Sequence, residues 1–397
     1  MAGNMAETTV PAGTENITVN TTAFVSEGRL PEFALWGKLG DRRVPLSFDL
    51  ELTARCNNDC RHCYINLPAG DREARQKELS PAEVGDIADQ AVALGALWCL
   101  VTGGEPLLRP DFAEIYLMLR RKGLLVSVFT NACLVTAEHV ALFKKHPPRD
   151  IEVTVYGITE ETYERVTSRP GSYAAFRRGL GLLLDAGIRV RLKAVALRSN
   201  VHELPAIAAF CREHTTDFFR FDPLLHLRYD GDPRRNEEIR GERLSPAEVV
   251  AIEQADNERA GAMEKGCDAL IFPEYDGEVC AHLLRCGAGN KSFVVSYDGI
   301  FRLCGDLWHP DCTFDLRRGR LAEAWETLVP RVRELRSANP EFLDRCRRCP
   351  IINLCLWCPA HAHLETGELD GFSSYFCAVA HARADALEAR LKGAPPS

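Results

Sequence analysis

The chain has 397 residues, 46% of them apolar and 26% charged, with a formal net charge of −8. That composition suits a folded protein and argues against a nucleic-acid binder held by phosphate contacts. No apolar run approaches the roughly 18 residues of a membrane span, and residues 1–27 lack the basic start and apolar centre of a secretory signal, so a cytoplasmic location is expected.

Residues 1–43 read as a disordered segment and lead-in. Between 44 and 225 strands are predicted at 45–53, 97–102, 124–130, 151–157, 188–197 and 218–225. Helices are predicted between them at 81–94, 112–122, 137–145, 173–186 and 204–214. Ser80, Pro81 and Glu83 make a strong helix start, because Ser80 and Glu83 can close a capping box and proline suits the first helical turn. Strand–helix alternation predicts parallel strands joined by right-handed crossovers. Several strands carry polar or charged residues on one face: Asp49 and Glu51, Glu152 and Thr154, Arg191 and Lys193, Arg220 and Asp222. A closed eight-stranded barrel fills its interior with apolar side chains. The expected fold is therefore α/β, a partial six-stranded parallel βα barrel with a polar lumen. Residues 226–279 read as a bridge, with a solvated or mobile charged stretch at 230–243 and one helix over 246–264. Residues 280–385 read as a small cysteine-rich domain with little core, of the kind metal clusters staple. Residues 377–391 read as a helix, and 386–397 as a C-terminal tail.

Sixteen cysteines are many for a chain in a reducing compartment, where metal binding is a commoner use than disulfides. Cys99, Cys133, Cys211, Cys267 and Cys312 read as small buried hydrophobes. Cys56, Cys60 and Cys63 form a C-x3-C-x2-C segment just past the first strand, at the end where parallel α/β folds place their sites. Three thiolates are one short of the four that fill a [4Fe–4S] cluster, which leaves an open position of the catalytic kind. A zinc knuckle with His62 as fourth ligand is the alternative. Gly103-Gly104-Glu105-Pro106 ends the second strand, Thr130-Asn131 the third, and Val153-Thr154-Val155-Tyr156-Gly157 the fourth.

Together these segments resemble the radical S-adenosylmethionine (radical SAM) superfamily. The resemblance implies that Cys56, Cys60 and Cys63 hold a [4Fe–4S] cluster that binds S-adenosylmethionine and cleaves it to a 5′-deoxyadenosyl radical. It implies cofactor contacts from His62, Gly103, Gly104, Glu105, Pro106, Asn131 and Thr154. Glu105 would accept hydrogen bonds from the methionine ammonium, His62 would pack near the adenine, and Thr154 would face the ribose. Thr154 and Tyr156 stand where the family often has Ser and Asp.

The later cysteines resemble the SPASM domain: Cys286, then Gly299-x4-Cys304, then Cys346-x2-Cys349-x5-Cys355-x2-Cys358, then Cys377, with Cys280 as an eighth. Two residues precede Cys358 where the family usually has three. The resemblance implies two auxiliary [4Fe–4S] clusters, one on Cys280, Cys286, Cys304 and Cys358, the other on Cys346, Cys349, Cys355 and Cys377. A zinc site on Cys346, Cys349, Cys355 and Cys358 is the alternative. The resemblance further implies a ribosomally made peptide substrate with a leader, joined by a thioether or carbon–carbon crosslink. It implies an external electron donor such as flavodoxin or ferredoxin, and no nucleic-acid or membrane partner. Oxidation of a small molecule (a sugar or tetrapyrrole) and formylglycine formation are the alternatives. Asp306 is the candidate catalytic base, although the family's formylglycine-forming members place Asp directly after the cysteine, where Gly305 stands. His309, His361 and His363 are weaker candidates.

Overall fold

In the computed structural model, which describes residues 42–215, 219–266 and 280–391, the first alternating segment forms β1 (Ser47–Glu51), with Phe48 and Leu50 on the face opposite Asp49 and Glu51. Five strands follow where they are expected: β2 (Trp98–Thr102), β3 (Leu125–Thr130), β4 (Ile151–Thr154), β5 (Val190–Val195) and β6 (Arg220–Asp222). They pair in parallel in chain order. The crossovers hold α1 (Pro81–Leu94), α2 (Phe112–Arg121), α3 (Ala137–Lys145), α4 (Glu160–Thr167), α5 (Ser172–Asp185) and α6 (Leu204–His214). α1 begins with the expected capping box, the Glu83 carboxylate accepting from the Ser80 N–H at 2.8 Å.

The helices cover the apolar face of the sheet. Phe48, Leu50, Val101, Val126, Val153 and Leu192 pack against Ile87, Ile115, Phe143 and Leu183 in one core. The other face keeps its charges in pairs that cross strands. Glu152 on β4 meets Lys193 on β5 at 2.5 Å and Arg220 on β6 at 2.7 Å.

The sheet continues beyond β1. β7 (Ser292–Val295) pairs in parallel with β1, and β8 (Ile300–Arg302) and β9 (Thr313–Asp315) extend it antiparallel, giving the order β9-β8-β7-β1-β2-β3-β4-β5-β6. The cysteine-rich sequence here predicts little core. Instead Phe293, Val295 and Phe301 join the main core, and Phe293 stacks on Phe48 with ring centres 5.3 Å apart. An open sheet has a free edge at β1, and the apolar run of β7 covers it.

The bridge departs from expectation in two places. The charged stretch is a docked helix, α7 (Pro233–Glu242), whose N-terminus Asp232 caps and whose Arg235, Asn236 and Ile239 are buried. The single helix expected over 246–264 is two, α8 (Pro246–Ala255) and α9 (Asn257–Lys265). Asp256 leaves helical geometry between them, and its side chain accepts from Arg259 N at 3.0 Å, capping the second. Late in the chain lie α10 (Pro359–Thr366) and α11 (Ser374–Leu391), the latter running on into the part expected as a tail. The N-terminal segment through 41, Cys267 with the rest of 267–279, and the tail at 392–397 lie outside the described residues. Among the described residues no helix is long and apolar enough to cross a membrane.

α11 is pinned to α8 by charge. Arg383 donates from Nε and Nη2 to the two oxygens of Glu253 at 2.9 and 2.7 Å, and both side chains are buried. Removing one partner of a buried pair leaves the other charge uncompensated, a loss of about 3–5 kcal/mol. Glu253→Ala is therefore expected to lower the unfolding free energy by that much in urea. Arg259→Ala, which removes only a half-exposed third member of the group, should cost less. Equal and small losses would show that the pair does not anchor α11.

Candidate active site

Glycine is required where β2 meets the cysteine segment. A Cβ on Gly103, whose φ is +133°, would stand 2.3 Å from Thr53 O, and one on Gly104 would stand 2.3 Å from Arg55 O. The bare backbone lets Gly104 N donate to Thr53 O at 2.6 Å and Glu105 N to Arg55 O at 2.9 Å. The close approach that the glycines permit is thus to the strand leading into Cys56. Glu105 is fully buried and accepts from Leu107 N (3.1 Å), Thr130 Oγ1 (2.8 Å) and Asn131 N (2.8 Å). Burial outweighs those bonds and pushes its pKa up to about 7. The carboxylate thereby ties the end of β2 to the end of β3. Asn131 carries the tie onward, donating from Nδ2 to Asn57 Oδ1 at 2.8 Å and reaching Cys56 Sγ at 3.7 Å.

Cys60 is buried, and Cys56 and Cys63 are half-buried. Burial pushes the Cys60 thiol up, and the neighbouring Cys63 and Cys56 add to it. Burial and then Glu105 do the same at Cys56. Thiols that are costly to ionise alone and share one loop suit a cationic iron cluster, since a coordinated thiol is deprotonated by the metal's charge. His62 has its ring centre 5.3 Å from that of Tyr156 and its Nδ1 buried without a hydrogen-bond partner. Burial, then Arg235, holds its pKa down at about 4, so the ring is neutral. Pro106 opens a short turn after β2, and Thr154 ends β4, half-buried. Sequence reasoning missed Asn57, Asn66, Arg228 and Arg235, which brace the same loop.

Asp306 follows β8, close enough to Glu51 of β1 for their charges to interact. Its Oδ2 lies 3.5 Å from His226 Nδ1 and 3.8 Å from His361 Nε2, and the two imidazole centres are 4.1 Å apart. Burial raises the Asp306 pKa, but His226, His361 and Arg302 outweigh it and hold the carboxyl at about 2. Burial lowers the His361 pKa, but Asp306 and the Cys358 thiol outweigh it and lift it to about 9. Burial pushes His226 down. At neutral pH the group is an Asp306–His361 ion pair beside a neutral His226. The three donor atoms lie within 4.8 Å of one another, yet the protonated His361 already balances the carboxylate without a cation. Nothing in the local sequence marks His226, a single histidine after β6. His309 and His363 meet each other instead, with ring centres 4.8 Å apart.

Among the later cysteines, Cys346, Cys349, Cys355 and Cys377 line one cavity of about 120 Å³, with Trp357 and Phe372 on its wall. Cys304 and Cys358 face each other closely enough for their charges to couple. Cys280 has its thiol 3.6 Å from His282 Nδ1, and Cys286 is exposed. Cys99, Cys133, Cys211 and Cys312 are buried, as expected of small hydrophobes.

Residues 50–211, from β1 to α6, match the family model of the radical SAM superfamily. The chain carries a radical SAM domain. It is a radical SAM enzyme, and the family implies S-adenosylmethionine and a [4Fe–4S] cluster. It is 28% identical to the Fe-coproporphyrin III synthase of Methanosarcina barkeri, over 77% of this chain and 80% of that one. It is 26% identical to AlbA, the antilisterial bacteriocin subtilosin biosynthesis protein of Bacillus subtilis, over 79% of this chain and 67% of that one. The fold is similar to that of Streptococcus suis SuiB bound to its precursor peptide SuiA, with a TM-score of 0.63, 16% identity, and 87% of this chain and 78% of that one covered.

Glu105→Gln puts an NH₂ group where the carboxylate now accepts. It sets that group against the Thr130 hydroxyl or the Asn131 N–H, and leaving a buried donor unpaired costs about 1–3 kcal/mol. The variant should unfold at lower denaturant by that amount. An unchanged midpoint would mean that Glu105 does not join β2 to β3.

Proposed function

We propose that this enzyme is of the SPASM type and oxidatively modifies a ribosomally made peptide, forming a thioether or carbon–carbon crosslink. The observation that carries this reading is the single cavity lined by Cys346, Cys349, Cys355 and Cys377. It supplies a four-thiol set apart from the radical site, as an auxiliary cluster requires. Its four members are those that the SPASM resemblance assigns to one cluster. The relation to a bacteriocin biosynthesis protein favours a peptide substrate.

Cys56, Cys60 and Cys63 would hold the first cluster, and Cys304 with Cys358, joined by Cys280 and Cys286, a third. With S-adenosylmethionine bound, the first cluster supplies a 5′-deoxyadenosyl radical able to take a hydrogen atom from the substrate. The chain's own residues position and protect that chemistry. Gly103, Gly104, Glu105 and Pro106 hold the ends of β2 and β3 against the cysteine loop, Asn131 fixes its first residue, and Thr154 stands at the end of β4. His62, neutral and packed near Tyr156, presents a flat, uncharged face suited to an adenine ring. A crosslink also needs a group to take a proton. His226, neutral and with its Nδ1 3.5 Å from Asp306 Oδ2, would do that work as a general base. A two-electron oxidation needs an electron acceptor as well, and the four-thiol cavity is where the chain would hold it. An external donor of the flavodoxin or ferredoxin kind would supply the starting electron.

A tetrapyrrole substrate is the second reading, favoured by the relation to Fe-coproporphyrin III synthase. Mass spectrometry separates the two: a crosslinked peptide loses two hydrogens, and a porphyrin substrate leaves candidate peptides unchanged.

Three clusters require about twelve irons per chain and 5′-deoxyadenosine release on reduction with dithionite. Cys56→Ala should leave about eight irons and release none. Finding about four irons plus zinc would keep the radical site and remove the auxiliary clusters, and with them the SPASM reading. Asp306→Asn should continue to release 5′-deoxyadenosine while modified product falls by about 10²–10⁴. Parallel loss of both would instead place Asp306 in cofactor binding.

A further inference from the structure

The charged bridge reaches the cysteine loop through two buried arginines. Arg235, on the first turn of α7, donates from Nη2 to Cys60 O at 3.1 Å and to Asn66 Oδ1 at 3.0 Å. Arg228, which precedes the helix, donates from Nη1 to Asn66 O and Asn66 Oδ1, each at 3.1 Å, and to Cys63 O at 3.4 Å. Asn66 is itself buried, and its Nδ2 donates to Asp59 Oδ1 at 3.3 Å. The carbonyl of Cys60 accepts from Cys63 N as well, at 3.2 Å, so Arg235 grips the turn that separates these two cysteines.

We propose that Arg228 and Arg235 are positioning residues for the radical site: with Asn66 they hold the carbonyls of Cys60 and Cys63 and so fix the spacing at which the loop presents its thiols. This rests on the reading of Cys56, Cys60 and Cys63 as cluster ligands.

The role is geometric. Asp230 and Glu238 pair with the two guanidiniums, and Asp59 pairs with Arg235 at 3.0 Å, so the clamp brings no net positive charge to the loop. The guanidinium is needed for its shape. Its rigid planar fork of five donors serves several acceptors in a set geometry, which the three donors on a flexible lysine do not fix. The bridge is also held at its far end. Arg243 donates to Leu225 O at 2.9 Å and pairs with Glu365 of α10, and Tyr375 of α11 donates to Leu244 O at 3.1 Å. A helix fixed to the later part of the chain at one end therefore fixes the cysteine loop at the other.

Residues that orient metal ligands typically change metal affinity about 10–100-fold when removed. In the reconstituted enzyme, Arg235→Ala and Asn66→Ala should release to a chelator the irons that Cys56→Ala lacks, about 10–100-fold faster than wild type. The remaining irons should leave at the wild-type rate. Arg235→Lys should recover part of the loss, and Arg240→Ala, an exposed change on the same helix, should match wild type. Hydrogen exchange on the metal-free protein gives a second readout, and amides between 57 and 66 should exchange faster in Arg235→Ala. Wild-type release and wild-type exchange in both loop variants would overturn the clamp. If wild type binds no iron at the three cysteines, the cluster reading fails, and the exchange rates alone then decide whether the clamp exists.

Discussion

The segment at 54–66 carries three thiols and almost no regular structure, so its backbone polar groups must be satisfied from outside. Four elements do this. The end of β2 donates from Gly104 and Glu105 to the strand leading into it, and the end of β3 reaches it through Asn131. Thr167 at the end of α4 accepts from Asp59 N at 2.9 Å, and the bridge contributes Arg228 and Arg235. These meet because parallel strands all end on one side, the side where open α/β sheets bind ligands. The polar residues at the strand ends are thus spent first on building the loop. Glu105 shows this most plainly: all three of its hydrogen bonds are internal to the chain.

A second constraint is register between the early strands and the late ones. Arg302 on β8 and Glu51 on β1 approach to 2.8 Å without hydrogen-bond alignment, and both are buried. A buried pair of this kind contributes little net stability compared with apolar residues of similar size. It does penalise any other alignment, since a shift along the sheet leaves a charge alone inside. Arg302 also lies 3.5 Å from the ring centre of Trp308, which stacks on Tyr229 of the bridge at 4.0 Å. One buried cation thereby touches the first strand, the late strands and, through Trp308, the bridge.

What the sequence revealed was local. The six alternating strands, the capping box at Ser80 and Glu83, and the spacing of Cys56, Cys60 and Cys63 all depend on residues a few positions apart. What it hid depends on partners far along the chain. Arg235 and Cys60 are separated by 175 positions, and an Arg-, Glu- and Asp-rich stretch reads as solvated until its partner is known. His226 carries no pattern at all. β7 looked like part of a small separate domain because its four residues cannot announce that they lie beside β1. Asp256 misled in the opposite sense: within an apparently helical run, it ends one helix and caps the next.

Charge pairing on the polar face bears on what kind of molecule fits there. Lys193 and Arg220 both face Glu152, and Arg302 faces Glu51. These basic groups already have carboxylate partners, and Asp306 is matched by His361. A ligand bearing several carboxylates would have to compete with Glu152 and Glu51 for those cations. An extended peptide makes no such demand, because its backbone offers neutral donors and acceptors that bond to paired charges without separating them. The same pairing sets a limit on charge: an acidic or basic group of any ligand would gain little at this face, so selection there would come from shape or hydrogen bonding.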